Sequence, residues 1–197
     1  MIVLGITGSI GMGKSAVAAM LRELGVPVHD SDAAVHRLLA AGGAAVAAVL
    51  QEFPNVAAAD GSIDRTLLGR AVFGNPQLKK KLEDILHPLV RAETDQFIAT
   101  EKTKGSGIVA LDIPLLFETG GETRVDKTIC VTAPADVQRA RVLARSGMTV
   151  EKFEKILAGQ MPDAEKRKRA DYIVDTGTEL ESTRAQIKKI LKGLTDA

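Results

Sequence analysis

With 197 residues, 45% of them hydrophobic, the chain has enough apolar side chain for one domain, or for one core with insertions. Aromatics make up 3% and tryptophan is absent, so the core must be aliphatic and the stacking platforms of single-strand nucleic-acid binders are largely excluded. A net charge of +1 gives no global field for DNA or RNA, so any anion site must be built locally.

Residues 2–7 predict a first strand, apolar enough to be buried on both faces of a parallel sheet. Gly8-Ser9-Ile10-Gly11-Met12-Gly13-Lys14-Ser15 follows, a complete G-x-x-x-x-G-K-S between a strand and a helix. Glycines let successive N–H groups face one concavity and cradle phosphate oxygens, and the positive end of the next helix adds to that field. In such a loop Lys14 reaches the terminal phosphates and the Ser15 hydroxyl ligates Mg²⁺. That helix is expected from Gly13 to about Leu24, closing at Gly25, with a short second strand at Val26-Pro27-Val28-His29.

Helical patterns follow at about 32–40, 43–52 and 64–73, with a loop from Pro54 to Gly61. A long helical stretch runs from Pro76 to about Lys104, and Pro88 is expected to kink it or split it near His87. Strands return at 107–112 and 127–131. Helices are expected from Pro134 to about Arg145, from Val150 to Gln160 and from Ala164 to Ala170. The strand Tyr172-Ile173-Val174 and a helix over 178–193 end the series. Cys130, the single cysteine, lies in an apolar run and reads as a buried small hydrophobe. No apolar run approaches the roughly 20 residues of a membrane span and no charged leader precedes the first strand, so a cytoplasmic protein is expected.

Five strands alternating with helices predict an α/β fold, an open parallel sheet flanked by helices. The core is expected over 1–31, 106–138 and 170–197, with a helical acceptor-binding insertion at 32–105 and an Arg-rich helical lid at 139–169. This is the plan of small-molecule P-loop kinases, whose closing flap excludes water from the donor. Ligands of such sheets sit at the carboxyl ends of the strands. Asp32 follows the second strand and Asp112 ends the third, so both should face the crevice. Asp32 is the candidate for receiving the acceptor hydroxyl proton; the plainer alternative is a helix N-cap, a role Asp30 also suits. Asp112 resembles the magnesium-side Asp of P-loop enzymes, and Ile113 after it disfavours a water-activating ATPase. No Asn-Lys-x-Asp or switch-type Asp-x-x-Gly supports a GTPase. Arg139, Arg141 and Arg145 are expected on one lid helix, Arg141 and Arg145 on one face, where guanidinium groups can neutralise the transferring phosphoryl. Lys166-Arg167-Lys168-Arg169 and Lys79-Lys80-Lys81 read as solvated helix surface, His29 and His36 as structural or exposed residues, and no His/Cys cluster suggests zinc.

The ordered motifs resemble those of the dephospho-coenzyme A kinase family. Gly5 to Ser15 and His29-Asp30-Ser31-Asp32 look like its opening, followed by Asp64-Arg65, Leu68-Gly69 and Val72-Phe73. Leu86-His87-Pro88-Leu89-Val90 is similar to its His-Pro signature, and Asp112-Ile113-Pro114-Leu115-Leu116-Phe117-Glu118 is the most specific match after the loop. Gln138 to Arg145, Gln160-Met161-Pro162, Lys166 and Ala170 to Asp175 complete it. The resemblance implies ATP-dependent phosphorylation of the ribose 3′-hydroxyl of dephospho-coenzyme A, with Mg²⁺. A monomer or small homo-oligomer is expected, a choice the sequence does not make. The resemblance implies Asp32 as base, with Lys14 and Arg141 as phosphate clamps. ATP would be held by Gly11, Met12, Gly13, Lys14, Ser15, Ala16, Arg139 and Arg145. The acceptor would be held by Thr7, Asp32, Arg65, His87, Asp112 and Leu115. Thr176 stands where the family usually has Asn, which weakens a side-chain role there in adenine recognition, and Ser31-Asp32 replaces the commoner Ala-Asp.

Overall fold

The computed structural model describes residues 1–196; Ala197, last in the expected core segment, lies outside them. The strands are β1 (Ile2–Thr7), β2 (Val28–Asp30), β3 (Ile108–Asp112), β4 (Lys127–Thr132) and β5 (Tyr172–Asp175). They form one sheet in the order β2-β3-β1-β4-β5. β1 runs parallel to β3, with Ile6 opposite Asp112, and parallel to β4, with Thr7 opposite Cys130. β1 therefore sits at the centre, and the chain crosses to one side of it before returning to the other. That reversal opens a crevice at the carboxyl end of β1, where open α/β sheets bind ligands.

The helices are α1 (Lys14–Glu23), α2 (Ser31–Leu39), α3 (Val46–Glu52), α4 (Arg65–Val72), α5 (Pro76–Thr103), α6 (Ala135–Leu143), α7 (Val150–Ala158), α8 (Asp163–Arg169) and α9 (Leu180–Thr195). The chain divides into two compact units, one of Met1–His29 with the chain from Glu101 onward, the other Asp30–Thr100. In the first, alternate residues of β1 reach the same face. Leu4 and Ile6 there join Val17 and Leu21 of α1, Ile187 and Ile190 of α9, and Ala110, Ile129, Val131 and Val174 of the neighbouring strands. Cys130 is fully buried, and burial pushes its thiol up to about 12, so it is an inert apolar filler.

The second unit has its own aliphatic core. Leu38 and Leu39 of α2 pack with Ala45, Val49 of α3, Phe53, Val56, Ile63, Leu68 of α4 and Leu86 of α5. The expected split at Pro88 does not occur: α5 is continuous over 28 residues with Pro88 inside it. Proline there removes one backbone donor and costs on the order of 3 kcal/mol. Burial of the stripe Leu78, Leu82, Ile85, Leu86, Leu89 and Val90 against this core offsets that cost on both sides of the proline.

Candidate active site

The turn from β1 into α1 has the backbone of a phosphate loop. Gly11 and Gly13 adopt φ of +79° and +88°, where a side chain is strained. Crowding is a second reason for glycine. A Cβ on Gly11 would collide with Val142 Cγ2, and one on Gly13 would come within 2.7 Å of Thr176 Oγ1. Gly13 is the N-cap of α1 and supplies no capping side chain, which leaves the start of that helix suited to an anion. The Ser9 hydroxyl is buried and has no hydrogen-bond partner within the described residues. An orphaned hydroxyl in a glycine-lined cradle fits an anion acceptor such as phosphate.

The loop is braced from outside by residues far along the chain. Ile10 donates its N–H to Gln160 Oε1 at 2.9 Å, and its carbonyl accepts from Gln138 Nε2 at 2.7 Å. The Ala133 N–H donates to Met12 Sδ at 3.1 Å. Thr176 Oγ1 donates to Met12 O at 2.7 Å. Arg141 then clasps Thr176, with Nη1 donating to Oγ1 at 2.9 Å and Nη2 to its carbonyl at 2.6 Å. The departure at position 176 thus has a structural use: Thr176 is buried and joins Arg141 to the loop backbone.

Lys14 forms an ion pair with Asp112 Oδ1, their side chains being 17% and 5% exposed. The expected meeting of the loop and the end of β3 is therefore present. Ser15 is exposed at the start of α1. No group of three His, Cys, Asp or Glu side chains able to hold a metal occurs among the described residues. The oxygen donors that remain, the Ser15 hydroxyl and the Asp112 carboxylate, suit Mg²⁺, which keeps waters and substrate phosphates as its other ligands. Thr7, buried at the end of β1, donates its hydroxyl to Pro114 O at 3.0 Å. Leu115 is half-buried in the segment after Asp112, and its carbonyl accepts from Thr119 Oγ1. Ala16 is exposed on the first turn of α1.

Two basic features differ from expectation. Lys166 is fully buried rather than solvated, with Nζ 2.8 Å from Glu118 Oε1. The other three cations of its run are exposed, and Lys166 alone of α8 is buried. Burial pushes the Glu118 carboxyl upward, yet the Lys166 ammonium and the Met161 N–H together hold it below its ordinary value. Arg145 lies beyond α6, past the C-cap Ala144, so it does not share a helical face with Arg141. The helix ends early because Arg145, Ser146 and Gly147 form a turn, with Gly147 at a φ of +72°. Arg139 faces Glu154 of α7 at 4.0 Å, an exposed pair of little energetic weight.

Asp32, Arg65 and His87 belong to the second unit. Asp30, not Asp32, caps α2, accepting from the Ala33 N–H at 2.9 Å. Asp32 is exposed in the first turn, with no hydrogen bond or ion pair to another described residue. Asp64 caps α4 by accepting from the Thr66 and Leu67 N–H groups, which sets Arg65 at the first helical position. Arg65 contacts His36 Nε2, and both line a cleft of about 230 Å³ with Leu39, Asp60 and Ser62. His36 therefore has a partner that its sequence context did not indicate. His87 is exposed beside Pro88 on α5. Gln138, Gln160 and Lys166, the residues that brace the loop, carry no chemical signature of their own. Only their places within the family-like motifs distinguish them in the sequence.

Comparison with known proteins agrees with this geometry. Residues 2–182 match the family model described as dephospho-CoA kinase. A dephospho-CoA kinase from Mesorhizobium japonicum is 58% identical over 194 residues, covering 98% of this chain and 97% of that protein. One from Brucella melitensis is 52% identical over 195 residues, covering 99% of this chain and 96% of that protein. A crystal structure of a Thermus thermophilus protein superposes with a TM-score of 0.84 at 39% identity, covering 98% of this chain and 97% of that one.

Proposed function

The chain belongs to the dephospho-CoA kinase family, which catalyses the last step of coenzyme A synthesis, and from that premise we propose how its residues divide the reaction. ATP is the donor and dephospho-coenzyme A the acceptor. The backbone of Gly11, Met12, Gly13, Lys14, Ser15 and Ala16 holds the donor phosphates. Lys14 and Arg141 neutralise charge on the transferring phosphoryl, Lys14 exchanging Asp112 for phosphate as the substrate enters. The Ser15 hydroxyl and the Asp112 carboxylate would hold Mg²⁺, which would supply further neutralisation of that charge. Asp32 orients the ribose 3′-hydroxyl and receives its proton. Arg65, His87, Asp112 and Leu115 hold the rest of the acceptor; Thr7, expected there too, is fully buried with its hydroxyl on Pro114 O. The observation that carries this reading is the loop itself, shaped by two left-handed glycines and joined to Asp112 through Lys14 and to Arg141 through Thr176.

The test is ADP release from ATP with and without acceptors. Release should depend on dephospho-coenzyme A and stay near background with shikimate or a nucleoside. Strong turnover of another acceptor would reassign the substrate. ADP release that ignores every acceptor would mean a nucleotide-binding switch.

Residues 139–169 act as the lid over the donor. Arg141, Gln160 and Lys166 already anchor both ends of this segment near the loop, so the span between them, with Arg145 and the exposed pair Arg139–Glu154, is the part free to close. Hydrogen exchange across 143–159 should slow by about tenfold or more with a non-hydrolysable ATP analogue and Mg²⁺, since contacts to the bound nucleotide would raise the local opening free energy of this segment. Unchanged exchange at saturating nucleotide would remove the lid from the mechanism.

A further inference from the structure

We infer that Lys166 and Glu118 form a buried strut that positions the phosphate loop and the segment after Asp112, which makes Lys166 a positioning residue for phosphoryl transfer. This rests on the reading of Gly8–Ser15 as the donor site. A lysine with no exposed surface is costly unless its charge is paired and its three donors are used. Here they are used. Nζ lies 2.8 Å and 3.0 Å from the two Glu118 carboxylate oxygens, donates to Pro114 O at 3.2 Å and reaches Thr7 Oγ1 at 3.5 Å.

The acceptors are not scattered. Thr7 directly precedes Gly8, the first residue of the loop, and Pro114 stands two residues after Asp112. The Thr7 hydroxyl also donates to Pro114 O, so the ends of β1 and β3 are tied both to each other and to the ammonium. Glu118 extends the strut. Its Oε1 accepts from the Met161 N–H at 2.7 Å, and Met161 follows Gln160, whose side chain takes the Ile10 N–H of the loop. One ammonium thus links four segments: the strand before the loop, the segment after Asp112, the α7–α8 turn and α8 itself.

Stability alone does not call for such a pair, because replacing a buried ion pair by uncharged side chains of similar volume is often neutral or stabilising. What an ion pair adds is one defined geometry for the groups around it. Lys14 and Asp112 lie on the two segments that the strut joins, so its loss should misplace them by fractions of an ångström. Misplacement on that scale costs rate before it costs affinity.

The experiment compares Lys166→Met, Glu118→Gln and the double variant with the parent, measuring melting temperature, kcat and KM for ATP. Lys166→Met leaves a carboxylate without its cation and should melt roughly 10 °C lower. The double variant removes both charges while the side-chain amide at position 118 can still accept from the Met161 N–H, so most of that loss should be regained. Its kcat should nonetheless stay roughly 10- to 100-fold below the parent, with KM for ATP within about threefold. A double variant that regains parental kcat together with its stability overturns the inference and leaves the pair a purely structural element. If Lys166→Met does not fold, Glu118→Gln decides alone: its kcat should fall at least about fivefold, and parental kcat overturns the inference. Lys14→Ala separates the two levels. Its full activity would defeat the donor-site reading itself, whereas an inactive Lys14→Ala beside a fully active double variant defeats only the strut.

Discussion

Lys14→Ala is expected to lower kcat by roughly 10²–10³-fold, the usual cost of removing one preorganised group that meets charge developing in the transition state. The ammonium is a point charge on a flexible stem, seated at a helix N-terminus whose field has the same sign. In the structure it lies at the mouth of the loop against Asp112, with its side chain only 17% exposed. The substitution removes that partner from Asp112 and should cost about 1–3 kcal/mol of stability, since the carboxylate is 5% exposed. The protein should remain folded by circular dichroism while turnover, followed by coupled ADP release, nearly disappears. Near-normal kcat in a folded Lys14→Ala protein would mean that the loop does not bind the donor phosphates.

Asp32→Asn is the second large effect. Phosphoryl transfer passes through a loose transition state, so the acceptor oxygen keeps most of its proton until late. A carboxylate that orients the hydroxyl and then takes this proton is worth on the order of 10²–10⁴-fold. The asparagine keeps the shape and hydrogen-bonding capacity and loses the basicity, so kcat should fall by about that factor with little change in ATP binding. The structure sharpens the comparison. Asp30 is the residue that caps α2, so a stability effect through capping cannot be confused with a chemical one at Asp32. Only the favourable placement of an acid in the first turn is lost, about 0.3–1 kcal/mol. A kcat within about twofold of the parent would remove Asp32 as the base and leave Asp112 as the next carboxylate to test.

The architecture was legible where side-chain pattern and backbone geometry coincide. β1 read as a strand buried on both faces because all six of its residues tolerate burial, and it lies at the centre of the sheet. The loop read correctly because its glycines answer a backbone demand that the sequence states directly. Asp64 read as a helix start for the same reason, its carboxylate accepting the two N–H groups a cap should meet. The misreadings came from places where tertiary packing outweighs local preference. Pro88 marks a break only when the helix has nothing to hold it, and the apolar stripe of α5 has a core to pack on. Arg145 falls off its helix because a turn at Gly147 ends the helix early. Lys166 was hidden by its neighbours: four consecutive cations look alike in sequence, and the carboxylate that distinguishes one of them lies 48 residues away. Thr176 was visible only as a departure from pattern, and its purpose depends on Met12, 164 residues earlier.

The burial of Cys130 has a practical corollary. Burial pushes its thiol up to about 12, so the reactive thiolate is suppressed at neutral pH, and no solvent reaches the sulfur. The wild-type chain is therefore silent to maleimides, and it provides a ready background for single-site labelling. A cysteine introduced at exposed Ser146, paired with another at exposed Thr178, would accept a dye pair without removing any native residue from the core. The separation between such dyes would test whether residues 139–169 move when nucleotide binds.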